Sequence, residues 1–256
     1  MVRLAGRKKV FLFAALLIWL AAVVAVLYLL ASSPVSAGQT VRPVYSVARE
    51  DKRIALTFDA AWDDSTTDGV LAVLNDRQVK ATFFFVGSYA RRYPTDVVKI
   101  HNAGHEVANH SMTHLDPVTA DDETLYREIS ECSDVLFSLT GVAPALYRAP
   151  SGSWDARTVL AAKDLGLTAV QWSVDPVDWK DPPPETVVRR VLAKAAPGGI
   201  ILLHLGKENT LEALPALIDA LKAEGYTFVT VSSLLLDGDT YVDPDGVQRP
   251  VTSGEK

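Results

Sequence analysis

Cysteine is almost absent from this sequence: Cys132 is the only one in 256 residues. A single cysteine cannot form an internal disulfide, and its place on a predicted amphipathic helix indicates a packed, unreactive thiol. A chain of this length can bury a sufficient hydrophobic core without covalent cross-links. We therefore expect one globular domain that is stabilised by packing.

The body of the chain also lacks a clustered basic face, and the formal net charge is −6. Proteins that bind nucleic acids need such a face to neutralise phosphates. The sequence therefore predicts no nucleic-acid partner. It also shows no internal repeat and no low-complexity tract, which argues against a repeat architecture.

The first nine residues are the basic exception, with Arg3, Arg7, Lys8 and Lys9. An uninterrupted apolar run over residues 10–31 follows, long enough as a helix to cross a bilayer. We predict a cytoplasmic tail over residues 1–9 and a transmembrane signal-anchor over residues 10–31, with the rest of the chain extracellular. The alternative is a signal peptide cleaved near Ala37, which would release a secreted protein.

After the apolar run, residues 32–52 are polar and without periodicity, which predicts a tether between the membrane and a domain. Residues 53–236 alternate strand-like and helical patterns, with about seven strands, each but the last followed by a helix. One strand pattern covers residues 168–174, and the helical patterns include residues 94–102, 121–139 and 208–223. Residues 237–256 hold few apolar side chains, and we expect a flexible C-terminal tail there.

The alternation predicts a parallel α/β fold. Strands such as residues 82–86 and 200–203 are apolar on both faces, which requires helices on one side of the sheet and a filled interior on the other. An open doubly wound sheet is the competing architecture. A Gly-rich phosphate turn would support it, but bulky Asp59-Ala60-Ala61-Trp62 follows the first strand. We favour an incomplete, distorted parallel β/α barrel of about seven strands.

Polar residues with hydrolytic chemistry follow several of the predicted strands, where a parallel barrel would gather them at one mouth. His110 and His114 are four residues apart, which on a helical turn would suit zinc, although a structural role is the alternative. Asp59 closes an apolar strand, and Arg148 could supply the cation that its buried carboxylate needs. A purely structural salt bridge is the rival interpretation.

Five short motifs resemble, in the same order, those of the polysaccharide deacetylases, the NodB-homology domains of carbohydrate esterase family 4. The resemblance covers roughly residues 52–236, and the Phe58-Asp59-Ala60-Ala61-Trp62 variant is similar to the branch found in spore-forming bacteria. The motifs are Thr57-Phe58-Asp59, His110-Ser111-Met112-Thr113-His114, Arg148-Ala149-Pro150-Ser151-Gly152, Asp175-Pro176-Val177-Asp178-Trp179 and Leu202-Leu203-His204.

The resemblance implies a role for each matching residue. Asp59 would be the general base and His204 the general acid, oriented by Arg148 and Asp178 respectively. His110 and His114 would bind a divalent metal, most simply zinc, with cobalt or nickel as alternatives. The substrate would contact the Ser151 N–H, which helps to bind the oxyanion, and the side chains of Trp62, Trp179 and Leu202.

Two positions depart from the family pattern. The family has a second aspartate after the base, as a metal ligand, and this sequence has Ala60 there. Because catalytic zinc normally has three protein ligands, we expect Asp63 or Asp64 to serve instead. Ser151 also replaces the usual aromatic residue of the third motif, which removes one wall of the sugar groove.

These features predict a membrane-anchored, metal-dependent hydrolase that removes N-acetyl groups from a cell-wall glycan. Peptidoglycan, with its GlcNAc and MurNAc sugars, is the expected substrate because an anchored domain meets the wall first. An O-acetyl carbohydrate esterase would use the same machinery on an easier leaving group. A glycan-binding pseudoenzyme is the other alternative, and the missing ligand at Ala60 motivates it.

Overall fold

A computed structural model describes residues 41–251 of the chain, together with Trp19. No helix among these residues has the length and hydropathy needed to cross a bilayer. The predicted signal-anchor over residues 10–31 lies outside them, apart from Trp19, as does the predicted cytoplasmic tail. Both stay predictions.

A parallel sheet of seven strands forms the centre of the fold. The strands are β2 (Arg53–Ala60), β3 (Thr82–Phe85), β4 (Glu106–Asn109), β5 (Leu146–Tyr147), β6 (Thr168–Ala169), β7 (Ile200–His204) and β8 (Thr227–Phe228). Their spatial order is β6-β5-β4-β3-β2-β7, and β8 pairs with the start of β2. Every pairing in this sheet is parallel, which confirms the predicted α/β class.

Helices connect the strands and cover one face of the sheet. The longest helix within residues 41–251, Asp122–Thr140, begins where the carboxylate of Asp121 accepts the Thr124 N–H (2.8 Å) and ends at Gly141, whose φ of 72° is left-handed. The helices are α1 (Thr67–Asp76), α2 (Gly87–Arg92), α3 (Pro94–Asn102), α4 (Asp122–Thr140), α5 (Ala156–Asp164), α6 (Pro184–Leu192), α7 (Glu208–Ala223) and α8 (Val231–Leu234).

Side chains of β2 alternate between the two faces of the sheet, as strand geometry requires. Phe58 and Ala60 belong to the apolar cluster between the sheet and the helices, together with Phe83 of β3. Asp59 lies between them in sequence, so its side chain points to the opposite face. This alternation directs Asp59 into the barrel interior and Ala60 away from it.

The sheet curls toward closure beyond β6. Regular pairing of β6 ends at Ala169, earlier than the predicted strand over residues 168–174. The following segment runs beside β7: Val174 pairs with Ile201, and the Val174 carbonyl accepts the Leu202 N–H (2.9 Å). A curled parallel sheet of this kind agrees with an incomplete, distorted barrel.

Three strands outside the predicted domain form a second, small sheet: β1 (Ser46–Val47), β9 (Thr240–Val242) and β10 (Val247–Pro250). Their spatial order is β1-β10-β9. The expectation of a flexible segment is therefore wrong for β9 and β10. Part of the expected tether is also packed, since Val44 and Val47 are buried. These strands are too short to show a recognisable hydrophobic period in the sequence, and it is their pairing with one another that defines them.

Candidate active site

A cleft of about 350 Å³ opens at the carboxyl ends of the parallel strands. Parallel barrels place their active sites at this end, because the loops after the strands converge there. All five motifs contribute to its lining, which is formed by Asp59, Ala61, Trp62, His110, His114, Ser151, Trp172, Asp175, Trp179, Leu202 and His204.

Asp59 and Arg148 form a buried ion pair at the base of the cleft. Arg148 Nη1 donates to Asp59 Oδ1 (2.7 Å), and its Nη2 donates to the carbonyl of Gln171 (3.2 Å). The guanidinium also lies over the ring of Phe84, 3.9 Å from its centre. Arg148 thereby holds one oxygen of Asp59 and leaves Oδ2 facing the cleft.

Asp59 remains ionised despite its burial. Burial by itself opposes ionisation, but the positive charge of Arg148, with smaller contributions from His110 and His204, holds the pKa of Asp59 below its usual range. A buried carboxylate that stays charged and has one free oxygen is suited to accept a proton.

His204 ends β7 directly beside Asp59, since the two residues are partners in the register of the sheet. Its Nδ1 lies 2.7 Å from Asp178 Oδ1, and its backbone N–H donates to Asp178 Oδ2 (2.8 Å). Thr210 of α7 also donates to Asp178 Oδ2 (2.6 Å). Asp178 is fully buried. The imidazole is thus fixed by a carboxylate that is itself fixed.

The protonated form of His204 is favoured. Burial opposes protonation, but the hydrogen bond and negative charge of Asp178, together with Asp59 and Asp175, raise its pKa above the ordinary value of 6.5. The Trp62 ring packs against the imidazole in a T-shaped arrangement, at a centre-to-centre distance of 5.0 Å. His204 is therefore suited to donate a proton in a partly shielded position.

His110 and His114 lie close together, but not on a helical turn as the sequence predicted. They lie in the loop after β4, which has left-handed φ angles at Ser111 (69°) and His114 (63°). Their ring centres are 5.1 Å apart. The loop therefore achieves by backbone reversal the proximity that four-residue spacing gives in a helix.

His110 presents a free nitrogen to the cleft. Its Nδ1 lies 2.8 Å from the Arg148 carbonyl, which can only accept, so Nδ1 carries the proton. Burial lowers the pKa of His110 to about 4, so the ring is neutral at pH 7. The unprotonated Nε2 faces Asp59 Oδ2 at 3.4 Å. A neutral imidazole held at its other nitrogen is the usual state of a metal ligand.

Among residues 41–251, no third ligand of the expected kind joins the two imidazoles. Ala60 is fully buried in the apolar cluster behind β2, so its Cβ faces away from the cleft. The carboxylate of Asp63 instead accepts from the N–H (3.0 Å) and the hydroxyl of Ser65 (2.5 Å). Neither Asp63 nor Asp64 lines the cleft. The prediction that one of them completes the site is not supported, because the turn before α1 directs both to the surface.

The histidine pair nevertheless fits a divalent cation. Two imidazoles on one tetrahedral zinc, with nitrogens at about 2.1 Å, have ring centres about 5 Å apart, which matches the observed separation. Within residues 41–251 no three His, Cys, Asp or Glu side chains form a ready-made metal centre. The donor set is therefore two imidazoles, with the Asp59 carboxylate 3.4 Å from Nε2 of His110.

The remaining predicted residues form the walls of the cleft. Leu202 is buried, whereas Trp62 and Trp179 are 46% and 44% exposed at its mouth. Ser151 has a left-handed backbone (φ 56°), a strained conformation for a residue with a side chain. Trp172, which the sequence did not single out, supplies another wall.

Two further residues escaped the sequence analysis because they act through others. Thr210 supports Asp178, and Glu128 of α4 bonds to the loop between the two histidines. Both lie on predicted helices, where threonine and glutamate are ordinary surface residues. Only their contacts across the fold distinguish them.

Comparison with known sequences supports the resemblance. The profile of the family described as polysaccharide deacetylase matches residues 46–170. The chain is 35% identical over 199 residues to a chitooligosaccharide deacetylase of Rhizobium leguminosarum bv. trifolii, an alignment that covers 72% of this chain and 93% of the relative. It is 37% identical over 196 residues to a peptidoglycan-N-acetylglucosamine deacetylase of Bacillus cereus, covering 75% and 92%.

One solved structure with a similar fold belongs to a protein described as a pseudoenzyme. The wild-type CE4 family pseudoenzyme from Bacillus anthracis superposes with a TM-score of 0.74 at 31% identity, covering 76% of this chain and 69% of that one. A mutant of that protein has restored enzymatic activity. Similarity of fold at this level of identity therefore occurs in proteins with and without enzymatic activity.

Proposed function

The chain belongs to the polysaccharide deacetylase family, and on that premise we propose that it hydrolyses N-acetyl groups of an amino-sugar polymer. One observation carries the proposal: neighbouring residues in one cleft have pKa values displaced in opposite directions, down for Asp59 and up for His204. The lowered pKa keeps the base ionised and the raised pKa favours the protonated form of the acid, the combination that general acid–base hydrolysis requires.

Asp59 starts the proposed reaction. With Oδ1 held by Arg148, its Oδ2 accepts a proton from the attacking water as that water adds to the acetamide carbon. The backbone N–H of Ser151 then stabilises the oxyanion of the tetrahedral intermediate. The acetyl methyl lies against Leu202 and Trp179.

His204 completes the reaction by giving its proton to the departing amine as the carbon–nitrogen bond breaks. Asp178 keeps the imidazolium oriented and charged until that point. An amine is a poor leaving group unless protonated, so the raised pKa of His204 matters more for an amide than for an ester. The products are acetate and a free amino sugar.

A divalent cation, most simply zinc, would be held by His110 and His114, and when bound it would polarise the acetyl carbonyl and the attacking water. Family membership makes metal dependence the expected state. Cobalt or nickel would suit the same imidazole donors.

Peptidoglycan is the substrate we propose, acted on outside the cell by a domain that residues 10–31 anchor in the membrane. The support is the apolar N-terminal run and the similarity to a peptidoglycan-N-acetylglucosamine deacetylase. We expect the full-length protein in the membrane fraction, with the catalytic domain open to added protease in intact cells. Recovery from the culture medium would favour cleavage near Ala37.

Acetate release from N-acetylated wall fragments tests the activity. We expect it from the wild-type protein and expect Asp59→Asn and His204→Ala to lose it. Matched controls are Asp134→Asn on α4 and His101→Ala on α3, which remove the same groups outside the cleft. Equal turnover by wild type and Asp59→Asn would refute the assignment.

A glycan-binding pseudoenzyme is a second candidate, favoured by Ala60 and by the similar pseudoenzyme from Bacillus anthracis. The exposed rings of Trp62 and Trp179 would then bind sugar faces without chemistry following. Metal-loaded protein that binds wall glycan but releases no acetate would support it.

A further inference from the structure

The loop that carries both imidazoles, residues 110–114, has an unfavourable backbone conformation. Ser111 and His114 both have left-handed φ angles, which residues with a side chain rarely adopt. Such a conformation persists only where the surroundings hold it. The residues that hold this loop therefore decide where the two rings lie.

Glu128 contacts the loop from the side of α4. Its Oε2 accepts the hydroxyl of Ser111 (2.7 Å) and the N–H of Thr113 (2.8 Å), and its Oε1 accepts the hydroxyl of Thr113 (2.9 Å). All three donors lie between His110 and His114. A carboxylate accepting several bonds is a strong anchor, because charge-assisted bonds exceed neutral ones in strength.

The start of α2 holds the loop from another side. The N–H groups of Gly87 and Ser88 donate to the carbonyls of Ser111 (2.9 Å) and Met112 (2.8 Å). A Cβ at Gly87 would lie 2.3 Å from Met112 Sδ, so the loop packs directly on that backbone. The α2 contacts fix the main chain of the loop, whereas Glu128 fixes its hydroxyls and the N–H next to His114.

We propose that Glu128 is a positioning residue for the metal-binding histidine pair. It holds the loop in its left-handed conformation and so keeps the two rings at ligand separation. The proposal rests on the metal dependence inferred for the proposed function, but it concerns cation affinity and not turnover. Removing the carboxylate releases three donors, which lets His114 turn away from His110.

Co²⁺ titration of the full-length, metal-free protein tests this role, with Kd and the visible absorption of the bound ion as readouts. We expect Glu128→Ala to raise Kd about 10- to 100-fold, the range found when residues that orient metal ligands are removed. Glu128→Gln keeps one acceptor oxygen and should lie between. The control is Glu131→Gln, an exposed carboxylate one turn along α4, which should bind as wild type does.

Urea unfolding of each metal-free variant separates positioning from a general loss of structure. If Glu128→Ala does not fold, Thr113→Val decides, because it removes one of the three bonds and should raise Kd by a smaller factor. The proposal would be overturned if a folded Glu128→Ala protein kept the wild-type Kd and absorption spectrum. The same result in Thr113→Val would overturn it where Glu128→Ala does not fold. So would a wild-type protein that binds no Co²⁺. Absence of acetate release with these Kd shifts intact would instead count against the hydrolase function alone.

Discussion

The buried ion pair at the base of the cleft permits a test of why Asp59 is charged. Arg148 is fully buried and Asp59 is 5% exposed, so each charge depends on the other for stabilisation. Their closest atoms are 2.7 Å apart, and Arg148 also packs over Phe84. The perturbation is Arg148→Met, which keeps much of the side-chain volume and removes the positive charge.

Losing one partner of a buried pair leaves an uncompensated charge, which costs about 3–5 kcal/mol of unfolding free energy. Replacing both partners is often neutral. We therefore expect Arg148→Met to be destabilised by that amount and the double variant Arg148→Met/Asp59→Asn to recover most of it. Packing lost against Phe84 is common to both variants, so their comparison isolates the charge.

Urea unfolding of the wild type, both single variants and the double variant, with metal chelated, provides the coupling energy. The pH dependence has a distinct sign. In the wild type the lowered pKa of Asp59 makes stability rise as pH increases toward the unfolded value near 3.8. In Arg148→Met the burial of Asp59 is opposed only by the smaller contributions of His110 and His204, so the pKa of Asp59 should rise and stability should fall as pH increases above the unfolded value.

A double variant as unstable as Arg148→Met would refute this reasoning. The destabilisation would then come from lost packing, and Asp59 would need another source for its ionisation.

Three further predictions address other parts of the site. Ala60→Asp should destabilise the protein by about 2–5 kcal/mol in thermal or urea unfolding, because the introduced carboxylate would enter the apolar cluster. Cobalt affinity should stay unchanged. Tighter cobalt binding would contradict the observed orientation of Ala60. Thr210→Val should lower kcat and move the alkaline limb of the kcat–pH profile to lower pH, because Asp178 loses a hydrogen-bond donor and His204 loses the support that Asp178 gives it. Thr210→Ser should retain wild-type behaviour. An unmoved alkaline limb in Thr210→Val would contradict this role. Trp179→Ala should raise KM more than it lowers kcat in acetate-release assays, and an unchanged KM would remove Trp179 from the substrate wall.

Hydrophobic patterning was sufficient for most of the fold. The predicted helices over residues 94–102 and 208–223 coincide with α3 and α7, because long amphipathic periods identify a helix without tertiary information. Strands such as β3 were equally clear from their apolar runs. Short elements such as α2 and β9 were not predicted, because segments of a few residues are too short to show a recognisable hydrophobic period.

The site was recognisable for a related reason. Asp59, His110 and His204 each lie at or just after the carboxyl end of a strand in the parallel sheet, so their convergence could be predicted from the topology. The failures concern side-chain direction. The helical turn proposed for His110 and His114 is a left-handed loop, and Asp63 faces Ser65 rather than the cleft.

The sequence by itself determined the parallel α/β class and the polar residues that end successive strands and meet at one mouth of the barrel. It could do so because the hydrophobic period and the alternation of strands and helices are written in local sequence. Only the tertiary structure decided which way each side chain points and what holds it there. Ala60 faces the helices, Glu128 binds the histidine loop and Thr210 supports Asp178 because these contacts join residues distant in the chain, and no local pattern records them.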